Sequence, residues 1–262
     1  RSKGFKAVFI GSGAGLPQFM RLPGENLGGI YSANEFLIRV NLMKSYLFPE
    51  YNTPIRVGKH AVVIGGGFIG CEIAAACVQK GLDTTILEVG PSLLNLPLDA
   101  ETAQWITEYL IERGVHVLTN EAAARFIEEN GRAVGVETKT GKEVLGDFVA
   151  VGIGVAPNVE LAQEAGLPVD NGIVVNEQLE VDNKGVYAAG DVARFYSPVF
   201  AKHLRLEHYD VAVKHGQVAG ANMAGGQEKF AELQYFFSFM FKLRTEVWGD
   251  ATQRELVVRR GP

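Results

Sequence analysis

Three spaced glycines are the residues whose chemistry is easiest to infer. Gly65, Gly67 and Gly70 follow the apolar run of residues 60–64 and lead into a helix-favouring run. A strand, a tight turn and a helix in this order can hold a dinucleotide pyrophosphate: the first glycine permits the turn, the second lets backbone approach phosphate, and the third lets the helix pack on the strand. The helix N-terminus adds N–H groups and partial positive charge, so Phe68 and Ile69 join the candidate cofactor-binding residues.

An acid downstream strengthens this interpretation, because a glycine pattern alone is weak evidence. After Gly81 ends the helix, the strand-like run 83–88 ends at Glu88, 18 residues beyond Gly70. That spacing is close to the one expected for a carboxylate that binds a ribose 2′-OH. A carboxylate repels a 2′-phosphate, and no Lys or Arg lies between Glu88 and Arg113. The sequence therefore favours NADH over NADPH.

Composition limits the remaining possibilities. The 262 residues suit one large or two medium domains, with 47% hydrophobic and 21% charged residues, as in a soluble globular protein. The net charge of −5 argues against nucleic acid and anionic membranes as partners, and no apolar run is long enough for a membrane span. Cys71 and Cys77 lie on one predicted helix too far apart to pair, which fits a reducing, cytoplasmic location. Because the chain opens on Arg1 without an initiator Met, we expect it to be a trimmed or excised segment.

The hydrophobic periodicity predicts an α/β fold in which a parallel sheet is joined by a small antiparallel meander. Predicted helices cover 32–47 (with Ser32 as N-cap and Glu35 at N3), 68–80, 98–113, 161–165 and 206–224. Predicted strands cover 5–10, 60–65, 83–89, 115–118, 124–128, 133–139, 143–145, 147–152, 173–175, 179–181 and 185–192. Residues 48–58 are predicted to be a linker.

A second glycine-rich turn follows the first predicted strand. Gly11 and Gly13 resemble another dinucleotide fingerprint, but Leu16 stands where a third glycine is expected and Pro17 prevents a long helix. We interpret this stretch as a tight turn that brings backbone close to a cofactor or to another strand. Gly190 and Asp191 end a later strand, where Asp191 could simply cap a turn.

Several segments, taken in order, resemble the pyridine nucleotide–disulfide oxidoreductase family, whose members are flavoproteins with two nested dinucleotide domains. The motifs are the stretch 60–88, the crossing Val151-Gly-Ile-Gly-Val-Ala-Pro-Asn158, the Gly-Asp motif in 186–192, and Leu206-Glu-His-Tyr-Asp210. The last of these and residues 230–250 are similar to the NADH-dependent ferredoxin reductase and NADH oxidase branch. Residues 5–57 are closer to the small subunit of glutamate synthase.

The resemblance implies a Rossmann-like NAD(H)-binding domain nested in part of an FAD-binding domain. The implied division is 1–57 (partial FAD segment), 58–156 (NAD(H) domain), 157–226 (second FAD segment) and 227–262 (start of an interface domain). It implies that Asp191 contacts the FAD ribityl chain, that Glu72 lies near the nicotinamide, and that nicotinamide passes Gly154, where a side chain would block it. The remaining implied cofactor contacts are Gly11, Gly13, Gly190, Glu207 and His208.

Two of these residues also have simpler interpretations. Glu72 could be a helix-dipole partner in the first turn, and His208 could be a packed or exposed residue of the helix 206–224. The other four histidines show no metal-ligand spacing, and we predict no metal site and no catalytic acid–base group of the chain's own.

The predicted function is FAD-dependent hydride transfer from NADH to an unidentified electron acceptor, either a ferredoxin-like protein or a small molecule. Two alternatives stay open: a non-catalytic NAD(H)-binding module without its own complete flavin site, and a structural relic that binds no NADH. The aromatic run after residue 230 is compatible with an interface, so a homodimer is a further expectation.

Overall fold

A parallel sheet carries the glycine-rich turn in the computed structural model of the chain, which describes residues 4–55, 58–182 and 185–249. In chain order the strands are β1 (Val8–Ile10), β2 (Leu16–Pro17), β3 (Ile30–Ser32), β4 (His60–Ile64), β5 (Asp83–Leu87), β6 (Val115–Leu118), β7 (Ala123–Glu129), β8 (Arg132–Thr138), β9 (Glu143–Leu145), β10 (Phe148–Val151), β11 (Val155–Ala156), β12 (Ile173–Val175), β13 (Val186–Ala188), β14 (Ala193–Ser197), β15 (Lys202–Leu204), β16 (Tyr235–Met240) and β17 (Leu243–Trp248). The helices are α1 (Ala33–Leu37), α2 (Phe68–Gln79), α3 (Ala100–Ile111), α4 (Glu160–Glu164) and α5 (Tyr209–Met223).

The chain divides into two units. Of the described residues, the parallel-sheet unit comprises those within Pro17–Gly154 and Ser238–Thr245, and the split unit comprises those within Arg1–Leu16, Val155–Phe237 and Glu246–Pro262. Because β3 pairs with β10, residues 17–55 belong to the unit that contains the five-stranded parallel sheet. The sequence had instead assigned 1–57 to an FAD segment. The four-segment domain assignment stays a prediction, and residues 250–262 of its last segment lie outside the described residues.

The parallel-sheet unit is built on five parallel strands in the order β3-β10-β4-β5-β6. Strands β4 and β10 are almost entirely buried because both faces of the sheet are covered, which explains their continuous apolar sequences. Strands β7, β8 and β9 form the predicted antiparallel meander. The predicted fold class, with its parallel sheet and its meander, is confirmed.

The first helix is shorter than its sequence pattern predicted. Ser32 caps α1 as expected, its hydroxyl accepting from the Glu35 N–H at 3.2 Å. The α-helix ends at Leu37 and continues as a π-helical turn over Ile38–Leu42, after which Lys44 adopts a left-handed conformation at φ 49°. The prediction of one continuous helix over 32–47 was therefore wrong, because a residue in the left-handed conformation cannot continue a right-handed helix.

The split unit contains the parallel pair β1 and β13 and a three-stranded sheet in the order β12-β14-β15. The predicted strand at 179–181 is wrong, because Leu179 (φ 64°) and Asp182 (φ 43°) have turn conformations. The strand predicted over 185–192 ends at Ala188 and passes into a 3₁₀ turn at Gly190–Val192. Strands β14 and β15 were not predicted, although residues 193–197 alternate between buried and partly exposed.

Candidate cofactor sites

The glycine turn between β4 and α2 is shaped by contacts within the chain at two of its three positions. Gly65 has φ +104°, and a Cβ there would overlap the Gly152 carbonyl oxygen. A Cβ on Gly70 would overlap the Gly65 carbonyl oxygen, so the helix can reach the strand only without a side chain. These two glycines play the turn-forming and packing roles that their spacing predicted.

Gly67 differs from its neighbours because the chain itself does not require a glycine there. A Cβ at Gly67 would meet no atom of the chain within 4 Å, its φ of −73° is ordinary, and the residue is exposed. It is the N-cap of α2 and makes no side-chain cap bond, while Phe68 and the exposed Ile69 open the helix. The space beside this helix N-terminus suits an anion that approaches backbone closely.

Glu88 joins the glycine turn to the loop after β5. Its carboxylate accepts hydrogen bonds from the Gly66 N–H at 2.6 Å, from the Gly90 N–H at 2.6 Å and from Asn95 Nδ2 at 3.4 Å. Three donors on two oxygens leave at least one lone pair for a further donor. Although only 9% exposed, this carboxylate lies directly beside the turn that the sequence assigned to the pyrophosphate.

Glu72 begins the second turn of α2, just beyond the first turn in which it was predicted. The helix begins at Phe68, and no acid lies in its first turn, so the helix-dipole interpretation of Glu72 was wrong. Its Oε1 instead accepts a 2.5 Å hydrogen bond from the hydroxyl of Ser238, a residue 166 positions away that the sequence did not indicate.

Gly154 follows β10 at the same end of the sheet. It has φ +110°, and a Cβ there would touch the Gln18 side chain at 3.5 Å. The neighbouring Gly152 lies against Gly65, because its N–H donates to the Ile64 carbonyl at 2.8 Å. The segment after β10 therefore lies beside the glycine turn, on the side of β4 away from β5.

Both cysteines of α2 are buried and free. Burial raises the pKa of Cys71, and the charges of Glu88 and Glu72 raise it further. Burial raises the pKa of Cys77 to about 11. Both thiols therefore stay protonated and unreactive near neutral pH.

A second set of predicted residues meets in the split unit. Strands β1 and β13 run parallel, so Gly11 and Gly190 follow their adjacent carboxyl ends, and the Ala189 N–H donates to the Ile10 carbonyl at 3.1 Å. The Gly11–Gly13 turn is tied to Asn158, whose Nδ2 donates to the Ser12 carbonyl at 2.8 Å. A Cβ on Gly13 would meet no chain atom within 4 Å, which leaves room for a ligand at this strand edge.

Asp191 is half-buried in a charged cluster. Burial raises its pKa and Glu207 raises it further, whereas Arg205 lowers it. Arg205 Nη1 donates to the Asp191 carbonyl at 3.2 Å and to Glu207 Oε1 at 2.8 Å. Arg205 was not identified from the sequence. Its position two residues before Glu207 was the one feature of the sequence that could have indicated it.

Glu207 and His208 do not lie on a helix, contrary to prediction. Helix α5 begins at Tyr209, and His208 is an extended N-cap residue without a side-chain cap bond. The His208 ring packs on Phe236 with a centroid distance of 4.4 Å, and burial lowers its pKa to about 4. Its buried Nδ1 has no hydrogen-bond partner among the described residues.

Comparison with known proteins adds the family. A profile of the pyridine nucleotide-disulphide oxidoreductase family matches residues 2–216. The chain belongs to this family.

Curated relatives and solved structures agree with this assignment. The chain is 37% identical over 206 residues to the ferredoxin–NAD(+) reductase component of the anthranilate 1,2-dioxygenase system of Burkholderia cepacia, covering 78% of this chain and 50% of the relative. It is 36% identical over 200 residues to rhodocoxin reductase of Rhodococcus erythropolis, covering 76% and 47%. The ferredoxin reductase for the CYP199A2 system of Rhodopseudomonas palustris matches with a TM-score of 0.86 and 27% identity, over 98% of this chain and 61% of that one.

Family membership confirms the predicted resemblance and its two cofactors, FAD and NAD(H). The residues fit them: the open helix N-terminus at Gly67 suits a pyrophosphate, and the open space at Gly13, beside the carboxyl ends of β1 and β13, suits a second nucleotide. The chain spans about half the length of the curated relatives that it matches. Within the described part of the chain, helices of the length and apolarity needed to cross a bilayer are absent.

Proposed function

We propose that this chain is the nucleotide-binding part of an FAD-dependent NADH oxidoreductase that passes electrons to a ferredoxin-type protein. In this proposal NADH lies across Gly65, Gly67 and Gly70, and the remaining lone pairs of Glu88 accept from the adenosine ribose. Bound FAD supplies the redox chemistry, accepting a hydride equivalent and releasing single electrons. The chain contributes binding, orientation and exclusion of water.

The open space at Gly67 carries the proposal. Gly65 and Gly70 are required by the chain's own packing, whereas the space at Gly67 is open on the chain's side and would admit the backbone approach of a phosphate. The uncapped N-terminus of α2 beside it suits a phosphate. The Glu88 carboxylate is held in place by the Gly90 N–H of its own loop. A carboxylate there favours a free ribose 2′-OH and therefore NADH over NADPH.

The residues of the split unit support the flavin part. Gly11, Gly13, Gly190 and Asp191 lie at the carboxyl ends of adjacent parallel strands, where α/β folds bind nucleotides. Arg205 holds the Asp191 backbone and the Glu207 carboxylate, which orients this strand edge. A ferredoxin-type acceptor is supported by the relatives, one of which is the ferredoxin–NAD(+) reductase component of a dioxygenase system.

The test is flavin reduction by the purified chain. We expect the protein to be yellow as isolated or after incubation with FAD, and to lose its flavin colour when NADH is added without oxygen. NADPH should act more slowly. A colourless protein that binds NADH but never FAD would contradict the enzyme and support the NAD(H)-binding module, and absence of NADH binding would contradict both.

A further inference from the structure

A buried serine holds the carboxylate of Glu72. Ser238 is 2% exposed, and its hydroxyl donates to Glu72 Oε1 at 2.5 Å. Both residues belong to the parallel-sheet unit, Ser238 on β16 and Glu72 in the second turn of α2. A hydrogen bond to a carboxylate is stronger than one between neutral groups, so this contact fixes which way the Glu72 carboxylate points.

The backbone that carries Ser238 is itself held in place. Two residues further along β16, Met240 is fully buried in the core of the parallel-sheet unit. The Tyr109 hydroxyl of α3 donates to the Met240 carbonyl at 3.4 Å, and the Phe241 ring lies edge-on against Tyr109. Ser238 therefore cannot move away from Glu72 without disturbing packed residues.

The contact leaves the second oxygen of Glu72 available. Among the described residues, Ser238 is the donor that Glu72 accepts from, and that bond uses Oε1. The two ring systems of NADH each carry one N–H donor group: adenine has its amino group, and nicotinamide has its carboxamide. Glu88 follows β5 and is bound to Gly66 and Gly90, which assigns the adenosine half to that side. The free oxygen of Glu72 is thus the acceptor left for the carboxamide.

We propose that Ser238 is a positioning residue for NADH: it orients Glu72 so that Oε2 accepts from the carboxamide N–H of the nicotinamide. This inference rests on the proposed function, because it assumes that NADH occupies the glycine turn. Ser238 itself does not touch the nucleotide.

Three ligands separate this role from a merely structural one. NADH carries the carboxamide, reduced 3-acetylpyridine adenine dinucleotide lacks its N–H donor, and ADP-ribose lacks the whole nicotinamide. Titration calorimetry of the full chain should show that Ser238→Ala weakens NADH about three- to tenfold while changing the other two affinities by less than about twofold. Ser238→Thr, which keeps the hydroxyl, should bind NADH as the unchanged protein does.

A matched control uses Ser197 of the split unit. Ser197 is 1% exposed, and its hydroxyl accepts from the Phe200 N–H at 3.4 Å. Ser197→Ala also removes a buried hydroxyl, so it should leave all three affinities unchanged.

Three results would overturn the role of Ser238. If Ser238→Ala binds NADH normally while Gly67→Ala binds it weakly, Ser238 has no positioning role although the NADH site stands. If Ser238→Ala weakens all three ligands equally, the serine supports the fold and not the carboxamide. If the unchanged protein binds none of the three, both this inference and the proposed function fail.

Discussion

At the scale of single residues, Gly67 separates ligand binding from folding. Gly67→Ala places a methyl group in open space, with an ordinary φ, so the free energy of unfolding should change by less than about 0.5 kcal/mol. The same methyl group would meet the pyrophosphate, so NADH affinity should fall about tenfold or more. Urea unfolding followed by circular dichroism, together with NADH fluorescence titration, measures both quantities.

Gly70→Ala is the counterpart to this variant. Its Cβ would overlap the Gly65 carbonyl oxygen, so we expect a loss of stability of about 1–3 kcal/mol or more. Gly220→Ala is the control for NADH binding, because it lies in α5 of the split unit and its Cβ meets no chain atom within 4 Å. Equal effects of Gly67→Ala and Gly220→Ala on NADH binding would show that position 67 does not face the ligand.

Glu88 has a structural role in addition to its predicted contact with ribose. Glu88→Gln replaces one carboxylate oxygen by an amide nitrogen, which cannot accept from the Gly66 or the Gly90 N–H. We expect a stability loss of about 1–3 kcal/mol and a smaller preference for NADH over NADPH, measured by urea unfolding and by titration with both nucleotides. A variant with unchanged stability would show that the hydrogen bonds from Gly66 and Gly90 to Glu88 do not contribute to the free energy of unfolding.

The turn-forming role of Gly65 and the packing role of Gly70 could be predicted from the sequence because both depend on neighbouring parts of the chain. The positive φ of Gly65 and the packing of Gly70 follow from a strand, a turn and a helix that are adjacent in the chain. Ser238 and Arg205 could not be predicted in this way. Ser238 meets Glu72 across 166 residues, and Arg205 has no distinctive neighbours in sequence, so only the folded chain reveals their contacts.

At the scale of elements, His215 links α5 to the strand edge of the second candidate site. The Gly190 N–H donates to His215 Nδ1 at 3.3 Å, and the ring packs edge-on between Phe195 and Phe230. Burial lowers the pKa of His215 to about 4 from an ordinary value of 6.5. The folded chain therefore holds a neutral imidazole that the unfolded chain would protonate at mildly acidic pH.

The direction of the resulting pH effect follows from this difference. The stabilisation from a neutral His215 is fully present above pH 6.5 and is lost as pH falls toward 4, by roughly 3 kcal/mol. His208, with its pKa also lowered to about 4, should add a similar loss. Urea unfolding of the split unit between pH 7.5 and 4 should show this decline, and His215→Asn, which keeps an acceptor for Gly190, should reduce it by about half because His208 still contributes. An unchanged slope in His215→Asn would rule out His215 as its source.

Element boundaries were predicted best in the parallel sheet and in the helix that follows the glycine turn. Strands β4, β5 and β6 and helix α2 lie within one or two residues of their predicted limits. Two of the failures lie in the split unit: the turn at Leu179–Asp182 has two positive φ values that an apolar sequence conceals, and α5 begins late because His208 is extended. Strand β14 was missed because it pairs with β12, which is not its neighbour in sequence, and β15 was missed because it forms an antiparallel hairpin with the unpredicted β14.

At the scale of the whole molecule, the chain carries two candidate nucleotide sites on two units with separate cores. One core lies around α2 and the five-stranded sheet, and the other lies around β12, β14 and α5. Each unit should therefore respond to its own cofactor. Binding stabilises the folded unit by mass action, by about 2.7 kcal/mol at a ligand concentration of 100 times Kd.

Hydrogen–deuterium exchange can read the two units separately. NADH should slow exchange at residues 65–70 and 88–95, whereas FAD should slow it at residues 10–14 and 188–192, because these backbones form the glycine turn and the β1–β13 strand edge respectively. Gly67→Ala should lose the protection by NADH and keep that by FAD, which makes it an internal control. Protection of residues 188–192 by NADH, without any change at the glycine turn, would mean that the nucleotide assignments of the two units are reversed.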